Sequence, residues 1–213
     1  RLNNCIYLLV HFGIFMMRKI NVGIIGFGTI GSGVYKILQE NRDIISKRLG
    51  AIIEVVKIAD LDTTTDRGVK VDPGILTNDA QEIIKNPEVN IVVELIGGYE
   101  PAKTLMLQAI HESKHVVTAN KALLAKHGNE IFSMVEDQQV SLGFEAAIGG
   151  AIPIIRAIRE SFVANQINSI EGIVNGTANY ILSKMSDEHC SFDLALKEAQ
   201  GKGFAEADPT FDI

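Results

Sequence analysis

The sequence predicts an α/β protein: a doubly wound parallel sheet followed by part of an α+β domain. Three observations predict it. Short β-branched runs, apolar on both faces, alternate with helical stretches from Lys19 to Phe144, and such strands belong in a parallel sheet covered on both sides. A glycine-rich turn, Gly26-Phe27-Gly28-Thr29-Ile30-Gly31, joins the first strand to the first helix. Past Ala146 the alternation stops, and Gly149-Gly150 and Pro153 mark a junction.

The elements follow in order. Lys19 to Ile25 reads as a strand, and Ile30 to about Lys47 as one helix, with Val34, Ile37, Leu38 and Ile45 at helical spacing. Ile52 to Ala59 is the second strand, Asp60 to Gly74 a polar loop, and Asp79 to Lys85 a short helix. Asn90 to Ile96 is the third strand, broken by Gly97-Gly98. Pro101 suits the first turn of a helix reaching Ser113. Lys114 to Thr118 is the fourth strand, Lys121 to Asp137 a helix, and Gln139 to Phe144 the fifth strand. Beyond the junction, Ile154 to Phe162 reads as a helix, Ile167 to Val174 as a strand, and Thr177 to Ser186 and Phe192 to Gln200 as helices. Residues 17–146 are thus expected to form one domain and residues 147–213 the start of another. The apolar stretch 1–16 reads as an upstream extension, with the start at Met16 or Met17.

Composition narrows the function classes. The chain has 213 residues, 46% hydrophobic and 22% charged, with a net charge of −6. That excludes a nucleic-acid binder relying on a broad basic face. Two isolated cysteines, Cys5 and Cys190, make neither a disulfide framework nor a zinc motif, so a reducing, cytoplasmic setting is expected. Neither sits at a strand end, which argues against an acylating aldehyde dehydrogenase. The five histidines show no triad or ligand spacing.

The glycine turn carries the first chemistry. Gly26 permits the tight turn, Gly28 lets a pyrophosphate approach the backbone, and Gly31 lets the helix pack on the strand. With a strand before it and a helix after it, the pattern is Rossmann-type, and NAD or NADP is the expected cofactor. Asp60, at the end of the second strand, suits the ribose hydroxyls of NAD, whereas Arg67 would suit a 2′-phosphate. Gly97 and Lys121 fall at the carboxyl edge of the sheet, where ligands bind in such folds. Thr177 reads as the N-cap of a helix whose backbone donors suit a carboxylate. Glu206, Asp208 and Asp212 form an acidic loop that suits an ammonium group or a divalent cation.

Five segments together resemble homoserine dehydrogenase. They are Gly26 to Val34, His115-Val116-Val117-Thr118-Ala119-Asn120-Lys121, Phe144 to Pro153, Gly172 to Thr177, and Gly203-Phe204-Ala205-Glu206-Ala207-Asp208-Pro209. The first is generic and the other four are specific to the family. The resemblance implies NAD(P)-linked interconversion of L-homoserine and L-aspartate 4-semialdehyde, in the biosynthesis of threonine, methionine and isoleucine, by a cytoplasmic homodimer. It implies that Gly28, Thr29 and Ile30 hold the pyrophosphate, and that Lys121 and Asp212 serve catalysis. It implies that Glu206 takes the substrate ammonium and that Gly176 and Thr177 contact substrate and cofactor. It also implies a sodium-type cation held by Glu145 with the carbonyls of Ile148, Gly150 and Ile152.

Two departures bear on these expectations. The family's proposed proton-transfer lysine lies beyond Asp212, so this stretch alone is expected to turn over little and to be poorly soluble. Ala59 stands where many members carry a basic residue for the 2′-phosphate, which leans the chain towards NAD. A second reading is a non-catalytic nucleotide-binding remnant of such an enzyme.

Overall fold

The computed structural model describes residues 17–150, 152–173 and 175–205. The expected upstream extension, Val174 at the end of an expected strand, and Glu206, Asp208 and Asp212 lie outside the described residues. Two compact units divide between Arg156 and Ala157.

In the first unit, β1 (Arg18–Ile25) leads through the glycine turn into α1 (Thr29–Glu40). The expected single helix is in fact two, because α2 (Arg42–Leu49) starts afresh after Asn41. Asn41 leaves helical geometry at φ −104° and ψ 16°. Its side chain and its own N–H both donate to the Ile37 carbonyl, at 3.2 and 3.0 Å, and so close the last turn of α1. Gly50, left-handed at φ +70°, ends α2 and turns the chain into β2 (Ala51–Ala59).

A strand that the sequence pattern does not show follows the polar loop: β3 (Leu76–Thr77) pairs with the end of β2. Two residues are too few to display a period of two. Then come α3 (Gln81–Ile84), β4 (Ile91–Glu94), α4 (Ala102–His111), β5 (His115–Thr118), α5 (Lys121–Asp137) and β6 (Leu142–Gly143). The order is β3-β2-β1-β4-β5-β6, and every pairing is parallel. The register slips between Val22 and Gly23, which face Val55 and Lys57, so Val56 is the extra residue of a bulge.

The two sheet faces bury different sets of residues. Ile25, Val92 and Val116 pack with Met106, Ile110, Leu123 and Ile131 on one side. Val22, Ile24, Ile58 and Val93 pack with Phe27 and Tyr35 on the other. The alternation along β1 and β4 is what a doubly covered parallel sheet requires. The strand order reverses between β1 and β4, and at such a switch point the loops leaving the two strands part to open a crevice.

The first unit closes with α6 (Glu145–Ile148) and the short α7 (Ile154–Arg156). The second opens with a π-helical turn, Ala157–Ser161, in place of a continued α-helix. It then has α8 (Gly176–Glu188) and α9 (Phe192–Gly201), packed through Ile181, Ala195 and Ala199. The strand expected from Ile167 is not formed: residues 167–173 are irregular. Ile167, Ile170 and Ile173 are exposed. A strand needs a neighbour to take its N–H and C=O groups, and among the described residues none pairs with this segment. No described helix is long and apolar enough to cross a membrane.

Candidate functional site

The glycine turn sits at the carboxyl end of β1, beside that crevice. Gly26 has φ +98°, and a Cβ there would lie 2.7 Å from the Leu95 carbonyl group. A Cβ on Gly31 would lie 2.1 Å from the Gly26 oxygen. Both positions are closed to a side chain by neighbouring backbone. Gly28 differs, since a Cβ there meets nothing within 4 Å. The space above it is open to a ligand rather than filled by protein. Gly28 is the N-cap of α1, and no side chain caps the helix. The N–H groups of the first turn, around Thr29 and Ile30, therefore keep their partial positive charge for an anion.

Asp60 extends the turn sideways. Its carboxylate accepts the Phe27 N–H at 2.5 Å and the Asp62 N–H at 2.8 Å. A carboxylate has about four lone-pair sites, so capacity remains for a ribose hydroxyl. Asp62 accepts from the Thr64 N–H, the Thr64 hydroxyl and the Thr65 N–H. Hydrogen bonds from Thr65 and Thr64 hold its carboxyl well below the usual carboxylate range. Its second oxygen pairs with Arg67 at 3.1 Å. Arg67, the residue suited to a 2′-phosphate, is thus already matched with an anion.

On the other side of the crevice, Gly97 and Gly98 are left-handed at φ +80° and +67°, with open space where a side chain would project. They leave β4 from a buried acid, Glu94. The sequence reading missed Glu94, because at the end of an apolar run it looks like an ordinary strand terminus. It is 1% exposed and accepts the Ile96 N–H at 2.8 Å and the Thr118 hydroxyl at 2.7 Å. Asn120 donates to the Gly98 carbonyl at 2.7 Å and caps α5 by accepting the Leu123 N–H at 3.1 Å. Lys121 is the first residue of α5. The structure therefore brings Gly26, Gly28, Thr29, Ile30, Gly31, Asp60, Gly97 and Lys121 to one edge of the sheet.

The residues expected to hold a cation share one tight turn. Gly149 donates to the Glu145 carbonyl, and Ile152 to the Gly149 carbonyl, at 3.1 and 3.0 Å. The Glu145 carboxylate accepts the N–H groups of Ile155 and Arg156, at 2.8 and 3.1 Å, so it also caps α7. Ile148 and Gly150 lie between these bonds.

In the second unit the N-cap of α8 is Asn175 and not Thr177, because the Asn175 side chain accepts the Ala178 N–H at 2.8 Å. Gly176 is the first helical residue. The Thr177 hydroxyl instead donates to the Phe204 carbonyl at 2.6 Å, tying the helix to the loop that precedes Glu206. Tyr180, Lys184 and Lys202 converge on Glu198 behind that loop.

Comparison with known proteins places this arrangement. Residues 26–145 match the family model "Homoserine dehydrogenase, NAD binding domain", and residues 153–213 match "Homoserine dehydrogenase". The homoserine dehydrogenase of Pseudomonas aeruginosa is 49% identical over 199 residues, covering 92% of this chain and 45% of that protein. The crystal structure of a homoserine dehydrogenase from Thiobacillus denitrificans superposes with a TM-score of 0.84 at 50% identity, covering 92% of this chain and 46% of that one. A hyperthermophilic archaeal homoserine dehydrogenase in complex with NADPH gives a TM-score of 0.75 at 28% identity, covering 92% and 65%. The chain thus spans about half the length of the curated relatives it matches, and by its matches across both units it belongs to the homoserine dehydrogenase family.

Proposed function

We propose that this chain is the cofactor-binding part and the first stretch of the substrate-binding part of an NAD(P)-dependent homoserine dehydrogenase. Such an enzyme is an oxidoreductase acting on a CH–OH group: L-homoserine and NAD(P)+ give L-aspartate 4-semialdehyde, NAD(P)H and a proton. The match of both units to one family carries the reading. When bound, the nicotinamide cofactor takes or supplies the hydride at the carbinol carbon.

The chain's own residues do the rest. Gly28, Thr29 and Ile30 offer backbone N–H groups to the pyrophosphate, and the closed packing at Gly26 and Gly31 keeps those donors in place. Asp60 takes a ribose hydroxyl. Lys121 supplies positive charge near the substrate oxygen, and Asp212 is an acid of the catalytic network. Glu206 takes the substrate ammonium. Gly176 and Thr177 hold substrate and cofactor through the start of α8 and the loop tied to it.

NAD fits better than NADP. Asp60 and Asp62 place two carboxylates at the tip of β2, and Asp62 neutralises Arg67. A 2′-phosphate would meet net negative charge there.

The turn holding Glu145, Ile148, Gly150 and Ile152 fits a monovalent cation, with one carboxylate among carbonyl oxygens. It would brace the end of the first unit rather than take part in hydride transfer. A homodimer is the assembly that the family resemblance implies. The reducing setting read from the cysteines supports a cytoplasmic location.

The test is oxidation of NADH by the full-length protein with L-aspartate 4-semialdehyde as acceptor. Binding of NADH without semialdehyde-dependent turnover would favour the non-catalytic remnant and sink the enzyme.

A further inference from the structure

Glu94, Thr118 and Asn120 form a closed ring of buried hydrogen bonds beneath the crevice. Glu94 is the last residue of β4 and lies in register between Ile25 and Thr118. Its Oε1 accepts the N–H groups of Ile96 and Gly97, at 2.8 and 3.4 Å. Its Oε2 accepts the Thr118 hydroxyl proton, and the Thr118 oxygen accepts the Asn120 N–H at 3.0 Å. The Asn120 amide closes the ring on the Gly98 carbonyl. Glu94 and Thr118 are 1% and 0% exposed.

A carboxylate is a poor choice for filling space here. Removing it from water costs several kcal/mol, and a well-packed apolar residue at such a position is often neutral or better for stability. What the acid supplies is direction. With the single Thr118 proton committed to Glu94, the Thr118 oxygen must accept, and Asn120 is oriented by it. Asn120 is followed at once by Lys121, and the Gly97-Gly98 pair is held from below, Gly97 by that carboxylate and Gly98 by the Asn120 amide.

We propose that Glu94 is a positioning residue for hydride transfer, setting Lys121 through Thr118 and Asn120 and setting the Gly97-Gly98 loop against the nicotinamide half of the cofactor. The inference rests on the reading of Lys121 and the crevice given above. Glu94 touches neither substrate nor cofactor itself. The adenosine half belongs to the glycine turn and Asp60, which the ring does not hold.

Glu94→Gln is the decisive substitution because it keeps shape and removes one acceptor. Its amide must either donate to the Thr118 hydroxyl, which reverses that bond and releases the Thr118 proton from its acceptor, or face a donor to the Ile96 N–H, which loses that bond. The ring seen with Glu94 is not kept in either orientation. In the full-length protein, E94Q is expected to lower kcat by about tenfold or more, the scale on which small misplacements act. ADP-ribose, which lacks the nicotinamide, should bind as in the parent, while the advantage of NADH over ADP-ribose shrinks. Thr118→Val should reproduce the pattern and Thr118→Ser should restore it.

A kcat within about twofold of the parent in both E94Q and T118V would overturn the proposal. So would an equal loss of NADH and ADP-ribose affinity, which marks a general structural fault. If the parent binds NADH but reduces no semialdehyde, the proposed enzyme fails, and the NADH-to-ADP-ribose ratio still decides the role of Glu94.

Discussion

Asp60 accepts the Phe27 N–H across 33 residues of chain, at 2.5 Å. The tip of β2 and the glycine turn after β1 are therefore one piece. Phe27 is buried at the same point and meets Tyr35 edge to face at 6.0 Å. The turn is braced on its outer side by an acid and on its inner side by an aromatic pair.

The first prediction concerns that brace. Asp60→Ala leaves a buried N–H without its acceptor, a loss of about 1–3 kcal/mol. Denaturant unfolding should register it, and NADH titration should show weaker binding. Unchanged stability and affinity would remove Asp60 from the site.

Gly31 and Gly28 should separate folding from binding. Gly31→Ala forces a Cβ onto the Gly26 carbonyl, an overpacking that costs about 1–3 kcal/mol, so melting temperature and NADH affinity should both fall. Gly28→Ala places its methyl in open space, so the melting temperature should hold while NADH affinity drops. Equal NADH affinity in the parent and G28A would mean that the pyrophosphate does not approach there.

Cofactor preference should reside in the Asp62–Arg67 pair. The parent is expected to bind NADH more tightly than NADPH. Asp62→Asn keeps an acceptor for Thr64 and Thr65 but frees Arg67 from its anion, so the ratio should move towards NADPH by about tenfold. Parallel fluorescence titrations check this, and an unmoved ratio would assign the preference elsewhere.

The helix pair of the second unit should be acid-sensitive. Lys202, Lys184 and the Tyr180 hydroxyl hold the Glu198 carboxyl down, from 4.5 to about 2. Its folded-state value lies below its unfolded one, so the stability it contributes is full above the unfolded value. That stability is lost as pH falls through the window from 4.5 to about 2. Thermal melts taken down through this window should show the loss, and Glu198→Gln should flatten it. Equal slopes in the parent and E198Q would contradict this account.

At the start of α8, Asn175→Ala should cost about 1 kcal/mol through loss of the cap. Thr177→Val should leave that cap intact and release the loop at Phe204. Its expected signature is a raised KM for L-aspartate 4-semialdehyde with a smaller change in kcat, measured by steady-state assay.

Local pattern and tertiary structure divided this protein between them. The sequence alone determined the alternation of buried strand and helix, the glycine turn, the start of α5 at Lys121 and the family of the chain, since each is written in contiguous residues with a short-range physical meaning. It could not show β3, whose two residues carry no period, or the break at Asn41, where the backbone leaves helical geometry while the apolar spacing runs on. It read a strand from Ile167 on apolar content, but a strand exists only where a neighbour pairs with it. It credited Thr177 with a cap that Asn175 makes, because both residue types can cap a helix and only the fold aims Thr177 at Phe204. Glu94 was the largest omission. An acid closing an apolar run is indistinguishable from a solvated strand end until the parallel register sets it against Thr118 and buries it, and only then does its charge have work to do.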